Sequence, residues 1–277
     1  MGESKKGSAL VVCKRVTESK KELARFPRGM TFFDPILAHE VKEAIESGGE
    51  VYVSEDQQGK KTGLFIYDEY EATGTVFTRT RDVFDHFYQM KPDSYIFSEL
   101  DIAGLPHEVW NIWKLDVDKV APGHRFRHMV SVEDDADEIE RFMAATQPET
   151  NPRWVRIALK NGDKCFVVRM GGRIVGMAWM SISGSVARSH GLYVEPQFRR
   201  MGIMKDNLQA RLIYLKSKHV HTLINEIVAS NAPSAAHAES AGEEIVGKIY
   251  LYTSPEAPLA PDPSVHAHKS PDTAAKG

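Results

Sequence analysis

Apolar and polar positions along the chain fall into two successive series of short elements. In the first, Ala9-Leu-Val-Val-Cys-Lys-Arg-Val16 reads as a strand and Thr17 to Arg25 as a short charged helix that Thr17 or Ser19 can cap. Asp34 to Ser47 is predicted to be a second helix, with Ile36, Val41 and Ile45 loosely on one side and Gly48-Gly49 ending it. Val51 and Val53 then share one face of a strand, the polar run Asp56 to Lys61 turns the chain, and Gly63-Leu-Phe-Ile-Tyr67 returns as a buried strand. Thr73 to Thr78 makes a third strand of this meander. A helix over Asp82 to Met90, a strand over Ser94 to Ser98 and the stretch Glu108 to Leu115 close the series.

The pattern breaks around Asp116-Val-Asp-Lys-Val-Ala-Pro-Gly123, and a second series begins with His124 to Val130 as a strand. Asp134 to Ala145 is an amphipathic helix, with Asp134 or Asp135 at its cap and Ile139, Phe142 and Met143 on its apolar side. Cys165 to Met170 and Arg173 to Ser181 read as strands joined by a tight Gly171-Gly172 turn. A strand over Arg188 to Val194 leads to a helix starting near Ile203, in which Met204, Leu208, Leu212 and Leu215 recur at core spacing. Thr222 to Ala229 (strand), Ala232 to Ala241 (helix) and Glu244 to Tyr252 (strand) complete it. The expected division is 1–118, 119–253 and a Pro/Ala-rich tail, 254–277, that is expected to be disordered.

Composition narrows the class. At 277 residues, 42% hydrophobic and 26% charged, the chain is that of a globular protein, and a net charge of -3 supplies no field for nucleic acid or membrane. Met1-Gly-Glu-Ser-Lys-Lys lacks the apolar core of a signal peptide and no apolar run approaches a membrane span, so a cytoplasmic protein is expected. The only cysteines, Cys13 and Cys165, exclude a disulfide framework and a Cys-based zinc site. The His266/His268 pair lies in the solvated tail, and no metal is expected.

The candidate chemistry centres on Val194-Glu-Pro-Gln-Phe-Arg-Arg-Met-Gly-Ile-Met204, between a strand and a helix start. The first turn of a helix has unpaired N–H groups and the positive end of the dipole, which together seat anions. Gly202 allows close backbone approach, and Arg199 and Arg200 bring charge to a diphosphate. Neither GxxxxGK[ST] nor GxGxxG occurs in the chain. A plain strand-turn-helix stands as the alternative at this point.

Arg199 to Met204 resembles the [QR]xxGx[GA] loop of the GNAT superfamily of N-acetyltransferases, with Met204 where Gly or Ala is usual. Leu192-Tyr193-Val194-Glu-Pro ahead of Phe198-Arg199 is similar to the family's L-x-V-x-P-x-[YF]-R, and Glu226-Ile-Val-Ala-Ser-Asn231 to its E-V-x-x-S/D-N segment. Over roughly residues 124 to 253 the resemblance implies an α+β, mixed-sheet, acyl-CoA N-acyltransferase fold. It also implies acetyl-CoA as acyl donor and a primary amine, on a small molecule or a protein N-terminus, as acceptor. By the same resemblance Leu192, Tyr193, Val194, Arg199, Arg200, Met201, Gly202, Ile203 and Met204 would hold the cofactor, and Asn231 its arm.

An amine must be deprotonated before it attacks a thioester, so the expected catalytic residues are Glu226 first and His190 second. A surface carboxylate and a structural histidine are the alternatives. The family's Tyr acid falls at Ala238, beside His237, with Tyr250 on the last strand as another source of a proton. Glu50 to Tyr67 resembles Lys164 to Ser181, with Gly63 where Gly176 falls, whereas the joint Thr78-Arg-Thr-Arg-Asp82 has no glycine. A tandem arrangement with a degenerate first copy is therefore expected. The competing reading is a non-catalytic acyl-CoA-binding or protein-interaction module on the same fold.

Overall fold

A computed structural model describes residues 12–16, 31, 33, 34, 36–120, 125–148 and 153–253. The predicted helix Thr17 to Arg25 and the tail from 254 lie outside the described residues. Twelve strands form one sheet: β1 Val12–Arg15, β2 Glu50–Glu55, β3 Lys61–Asp68, β4 Thr73–Thr78, β5 Tyr95–Ser98 and β6 His107–Asp116, then β7 Val130–Glu133, β8 Lys164–Met170, β9 Arg173–Ser183, β10 Val186–Val194, β11 Thr222–Val228 and β12 Glu244–Thr253. The helices are α1 Leu37–Ser47, α2 Arg81–Met90, α3 Ala136–Thr146, α4 Trp154–Asn161, α5 Ile203–Ser217 and α6 Ala232–Ala241.

The strand order is β1-β2-β3-β4-β5-β12-β6-β11-β10-β9-β8-β7. Read inward from its two edges, the sheet repeats itself: β1 to β5 on one side correspond to β7 to β11 on the other. Each half carries one parallel pair, β4–β5 and β10–β11. At the centre the halves exchange their last strands, so that β12 lies beside β5, β6 lies beside β11, and β6 and β12 pair with each other. The mixed sheet and the tandem arrangement expected from the sequence are both present.

Local chemistry repeats with the topology. Gly48 and Gly162 follow α1 and α4 in the left-handed conformation, φ 89° and 97°. The next amides, Gly49 and Asp163, bond back to Ala44 and Ala158. Gly63 and Gly176 both lie under a helix start: a Cβ would come within 2.5 Å of Val83 in α2 or 2.9 Å of Ile203 in α5. Both glycines therefore let the helix after the fourth strand of each half sit down on the sheet.

Alternation along the strands splits the core into two layers. Ile36, Leu37 and Val41 pack on Val51, Val53, Leu64 and Phe77, and α3 and α4 pack on Cys165, Val167, Met177 and Trp179, all on one face. On the other face α2 covers Phe65 and Val76, and α5 covers Phe166, Met180, Ala187 and Leu223.

Two expectations need correction. His124 to Met129 contributes no strand among the described residues, because the Arg127 and His128 amides donate to Asp206 Oδ2 (3.1 and 2.9 Å) instead of to a sheet. Helix α4 was not predicted. No helix of the described residues is long and apolar enough to cross a membrane.

Candidate functional site

The loop expected to cradle an anion, hereafter the cradle, turns through two left-handed residues just ahead of α5. Arg200 and Gly202 adopt left-handed conformations, φ 64° and 88°, and hand the chain to Ile203. Above Gly202 the space is open: an added Cβ would meet only Arg127 Cδ, at 4.0 Å. Arg199 folds back, its Nε donating to the Val194 carbonyl (3.1 Å) and its guanidinium 6.0 Å from the Tyr193 ring centre. Arg200 and Met201 are exposed. Met204 is half-buried against Val168, Val175, Val194 and Ile203, so its bulk goes toward the core. Asp206, buried in the first turn, accepts from the Arg127 and His128 amides and lies 2.8 Å from His128 Nδ1, which pins the 127–128 segment beside the helix start.

Immediately before the cradle, the sheet opens. The parallel register of β10 with β11 runs from Val186↔Thr222 to Ser189↔Asn225 and stops. Against β9, β10 breaks register between His190 and Tyr193, where Gly191 takes φ 58° and Leu192 is 42% exposed. Such a bulge turns backbone groups away from the ladder. His190 and Glu226 are the first residues beyond the parting, one on each strand. Tyr193 and Val194 rejoin β9 opposite Met177 and Gly176.

Both expected catalytic residues project to the α1 face, into a buried polar network. Glu226 Oε1 accepts from Arg188 Nε at 2.9 Å, and Arg188 also pairs with Glu40 at 2.9 Å. Burial pushes the Glu226 carboxyl up, against the pull of Arg188. Arg188, despite burial, is held charged by Glu226 and Glu40. The Ser181 hydroxyl donates to Asp163 Oδ2 and lies 3.0 Å from His190 Nε2. With that one proton given to Asp163, Ser181 can only accept from His190, so Nε2 carries the imidazole proton and Nδ1 keeps its lone pair. Burial, then the charges of Arg188, His39 and Arg211, push His190 well below the ordinary imidazole range, leaving it neutral. Its ring meets Trp154 edge-on at 5.5 Å. His39 and Glu43 of α1 reach the same Asp163, and burial followed by the charges of Glu40 and Asp163 pushes Glu43 up to about 8.

The α5 face of the parting is a second polar layer. Arg211, buried, donates to Ser189, and Asn225 donates to Glu243. Burial lowers Arg211 to about 10 and raises Glu243 to about 7. Ala238 is buried, whereas His237 Nε2 is buried with no hydrogen bond; burial, then Arg211 and Lys205, lower its pKa. His237 therefore faces α5, where Ala238 offers no proton. Asn231 caps α6, its side chain accepting from the Ser234 amide at 3.2 Å. Tyr250 is not at this site: β6 separates β12 from β11, and the ring packs on His107.

Sequence reasoning missed Arg188, Ser181, Asp163 and Arg211. Their partners are distant in sequence, and only the helical i,i+4 spacing of His39 and Glu43 was a local signal.

The sequence model of the Acetyltransferase (GNAT) family matches residues 129–257. No curated protein matches the chain. Among solved structures, a Drosophila protein is similar at TM-score 0.64 and 12% identity, over 88% of this chain and 99% of its own. A tandem GNAT protein from the clavulanic acid biosynthesis pathway is similar at TM-score 0.60 and 12% identity, over 88% and 98%. A GCN5-related N-acetyltransferase from Sphaerobacter thermophilus is similar at TM-score 0.56 and 11% identity, over 90% and 96%. At these identities the likeness is one of fold, and it extends over both halves.

Proposed function

We propose that the protein, whose residues 129–257 match the model of the Acetyltransferase (GNAT) family, is an acetyl-CoA-dependent N-acetyltransferase acting on a primary amine, on a small molecule or a protein N-terminus. The observation that carries the reading is the parting of β10 from β11 beyond Ser189↔Asn225, directly ahead of the α5 cradle. The residues present fit the cofactor: left-handed Arg200 and Gly202 leave the first-turn amides of α5 under open space, and Met204 packs inward. Arg199, Arg200 and Gly202 to Met204 would hold the diphosphate, and Leu192 to Val194 the arm. Bound acetyl-CoA would supply the acetyl group as an activated thioester.

In this reading His190 is the base. Its Nδ1 lone pair accepts the amine proton, directly or through water, while Ser181 and Asp163 fix the tautomer. Glu226, tied to Arg188, acts as the charge partner that shapes the acceptor side. His237, kept neutral by burial on the α5 face, has no proton to spare, so the thiolate leaves as the anion and takes its proton from solvent. The cytoplasmic setting belongs to the same proposal and suits two free thiols, Cys13 and Cys165.

Thiol release from acetyl-CoA, measured against a panel of primary amines and peptides with free N-termini, tests the reading. Amine-dependent release is expected. Failure to bind acetyl-CoA at millimolar concentration in calorimetry would sink it, and binding with no release for any amine would favour a non-catalytic module.

A further inference from the structure

Where α1 of the first half meets the α4–β8 corner of the second, three side chains converge on one point. His39 and Glu43 stand at i,i+4 on α1, on one helix face, and Asp163 follows the left-handed Gly162 that ends α4. Nε2 of His39, a carboxylate oxygen of Glu43 and one of Asp163 all lie within 4.8 Å of one another. Glu43 is 8% and Asp163 1% exposed. Glu43 Oε1, Asp163 Oδ1 and His39 Nε2 are all buried and none makes a hydrogen bond. His39 Nε2 lies 2.9 Å from Asp163 Oδ1, an ion pair when the imidazole is protonated, and 3.8 Å from Glu43 Oε2.

A buried carboxylate oxygen without a partner, as on Glu43, is costly, and one cation shared by both carboxylates and the imidazole lone pair removes the cost. In a tetrahedral site with bonds of about 2.0 Å, neighbouring ligand atoms are about 3.3 Å apart, between the two distances observed here. One imidazole nitrogen with two carboxylates suits a borderline divalent ion better than calcium or magnesium, which take oxygen alone. We propose that His39, Glu43 and Asp163 bind one divalent transition-metal ion of the zinc class, clasping α1 to the second half. Asp163 presents Oδ1 to the ion while Oδ2 keeps accepting from Ser181. The site departs from the metal-free expectation drawn from the sequence, which weighed cysteine ligands and the tail histidines.

The fold supplies its own control. At the place related by the repeat, Gly49 stands where Asp163 does, and the cleft there carries Asp68 and Glu69 but Arg153 in place of a histidine. Among the described residues no ligand triad is formed there, so the cluster is a property of this corner and not of the repeated scaffold.

The test uses the full chain, stripped with EDTA and titrated with zinc chloride. It is run beside Glu43→Gln and beside the double variant His266→Ala/His268→Ala, which removes the competing histidine pair of the tail. One zinc per chain is expected to survive desalting in the unmodified protein and in the tail variant. Glu43→Gln should bind at least about tenfold more weakly. Zinc should raise Tm by about 5 °C over EDTA. No retained zinc, or zinc lost with the tail histidines and unchanged in Glu43→Gln, overturns the proposal. Should Glu43→Gln fail to fold by circular dichroism, His39→Gln carries the same comparison. The readout is metal content and stability, independent of acyl transfer.

Discussion

In the first half β4 runs in regular register against β3 through Thr78 and enters α2 through Thr80, extended at φ -124°. In the second half β10 breaks register after His190 and enters α5 through two left-handed residues, Arg200 and Gly202. Counted from the paired glycines Gly63 and Gly176, Phe77 stands where Tyr193 does, Phe97 where Glu226 does, and Gly49 where Asp163 does. The first half fills its corner with Phe77 against Phe33, and Glu99 accepts from Thr31. The two halves solve the same packing problem, and only the second breaks the register of its fourth strand on the way into the helix. Cradle, bulge and buried imidazole come as a set, since each frees a group that a regular sheet would consume.

Substitutions in the two halves sharpen or break this comparison. The largest difference is expected between His190→Gln and Glu99→Gln: the first should lower kcat by about 10²- to 10⁴-fold and the second should leave it unchanged, in the same thiol-release assay. Equal losses would mean that the halves share the chemistry. Next, Arg188→Ala strands Glu40 and Glu226 beside each other without their cation, and urea unfolding should show a loss of about 3–5 kcal/mol.

Glu243, just ahead of β12, has no acidic counterpart in the first half, where Pro106 precedes β6. Its folded-state pKa is raised from 4.5 to about 7, so the native state keeps a proton that the unfolded chain gives up in this window. Stability should fall as pH rises from 4.5 to about 7, and Glu243→Gln should remove up to about 3 kcal/mol of that fall, the two proteins converging near pH 4.5. A parallel pH dependence of both proteins would contradict this. The smallest expected effect compares Gly63→Ala with Gly176→Ala. Each forces a methyl group against a helix start and should cost about 1–3 kcal/mol in thermal unfolding, in both halves alike.

Much of this was readable in the sequence wherever the signal is local. Asp135 caps α3, its side chain accepting from the Asp137 and Glu138 amides, Gly171-Gly172 turns the β8–β9 hairpin, and Gly202 starts α5, all as residue type and spacing predict. The turn into α5 was visible for the same reason. Helix α4 was overlooked although its end is marked by left-handed Gly162, because only Val155 and Ala158 of its eight residues are buried and its apolar stripe is short. The network around His190 was invisible: Ser181, Asp163, Arg188 and Glu40 meet across 18 to 148 residues of chain, and no periodicity reports such encounters. The exchange of β6 and β12 was equally hidden, since both strands carry patterns compatible with either neighbour.

That exchange has a consequence for how the protein is made. On the ribosome the first half emerges complete but for its sixth strand position, and the missing piece, Glu244–Thr253, is encoded some 130 residues downstream of its own β6. Until residue 253 leaves the exit tunnel, β5 keeps an open edge and β6 has no lasting place beside it. Such an edge invites pairing with another nascent chain. Synthesis of the second half is thus a waiting period for the first, and the molecule locks as a whole only when its last strand is threaded between β5 and β6.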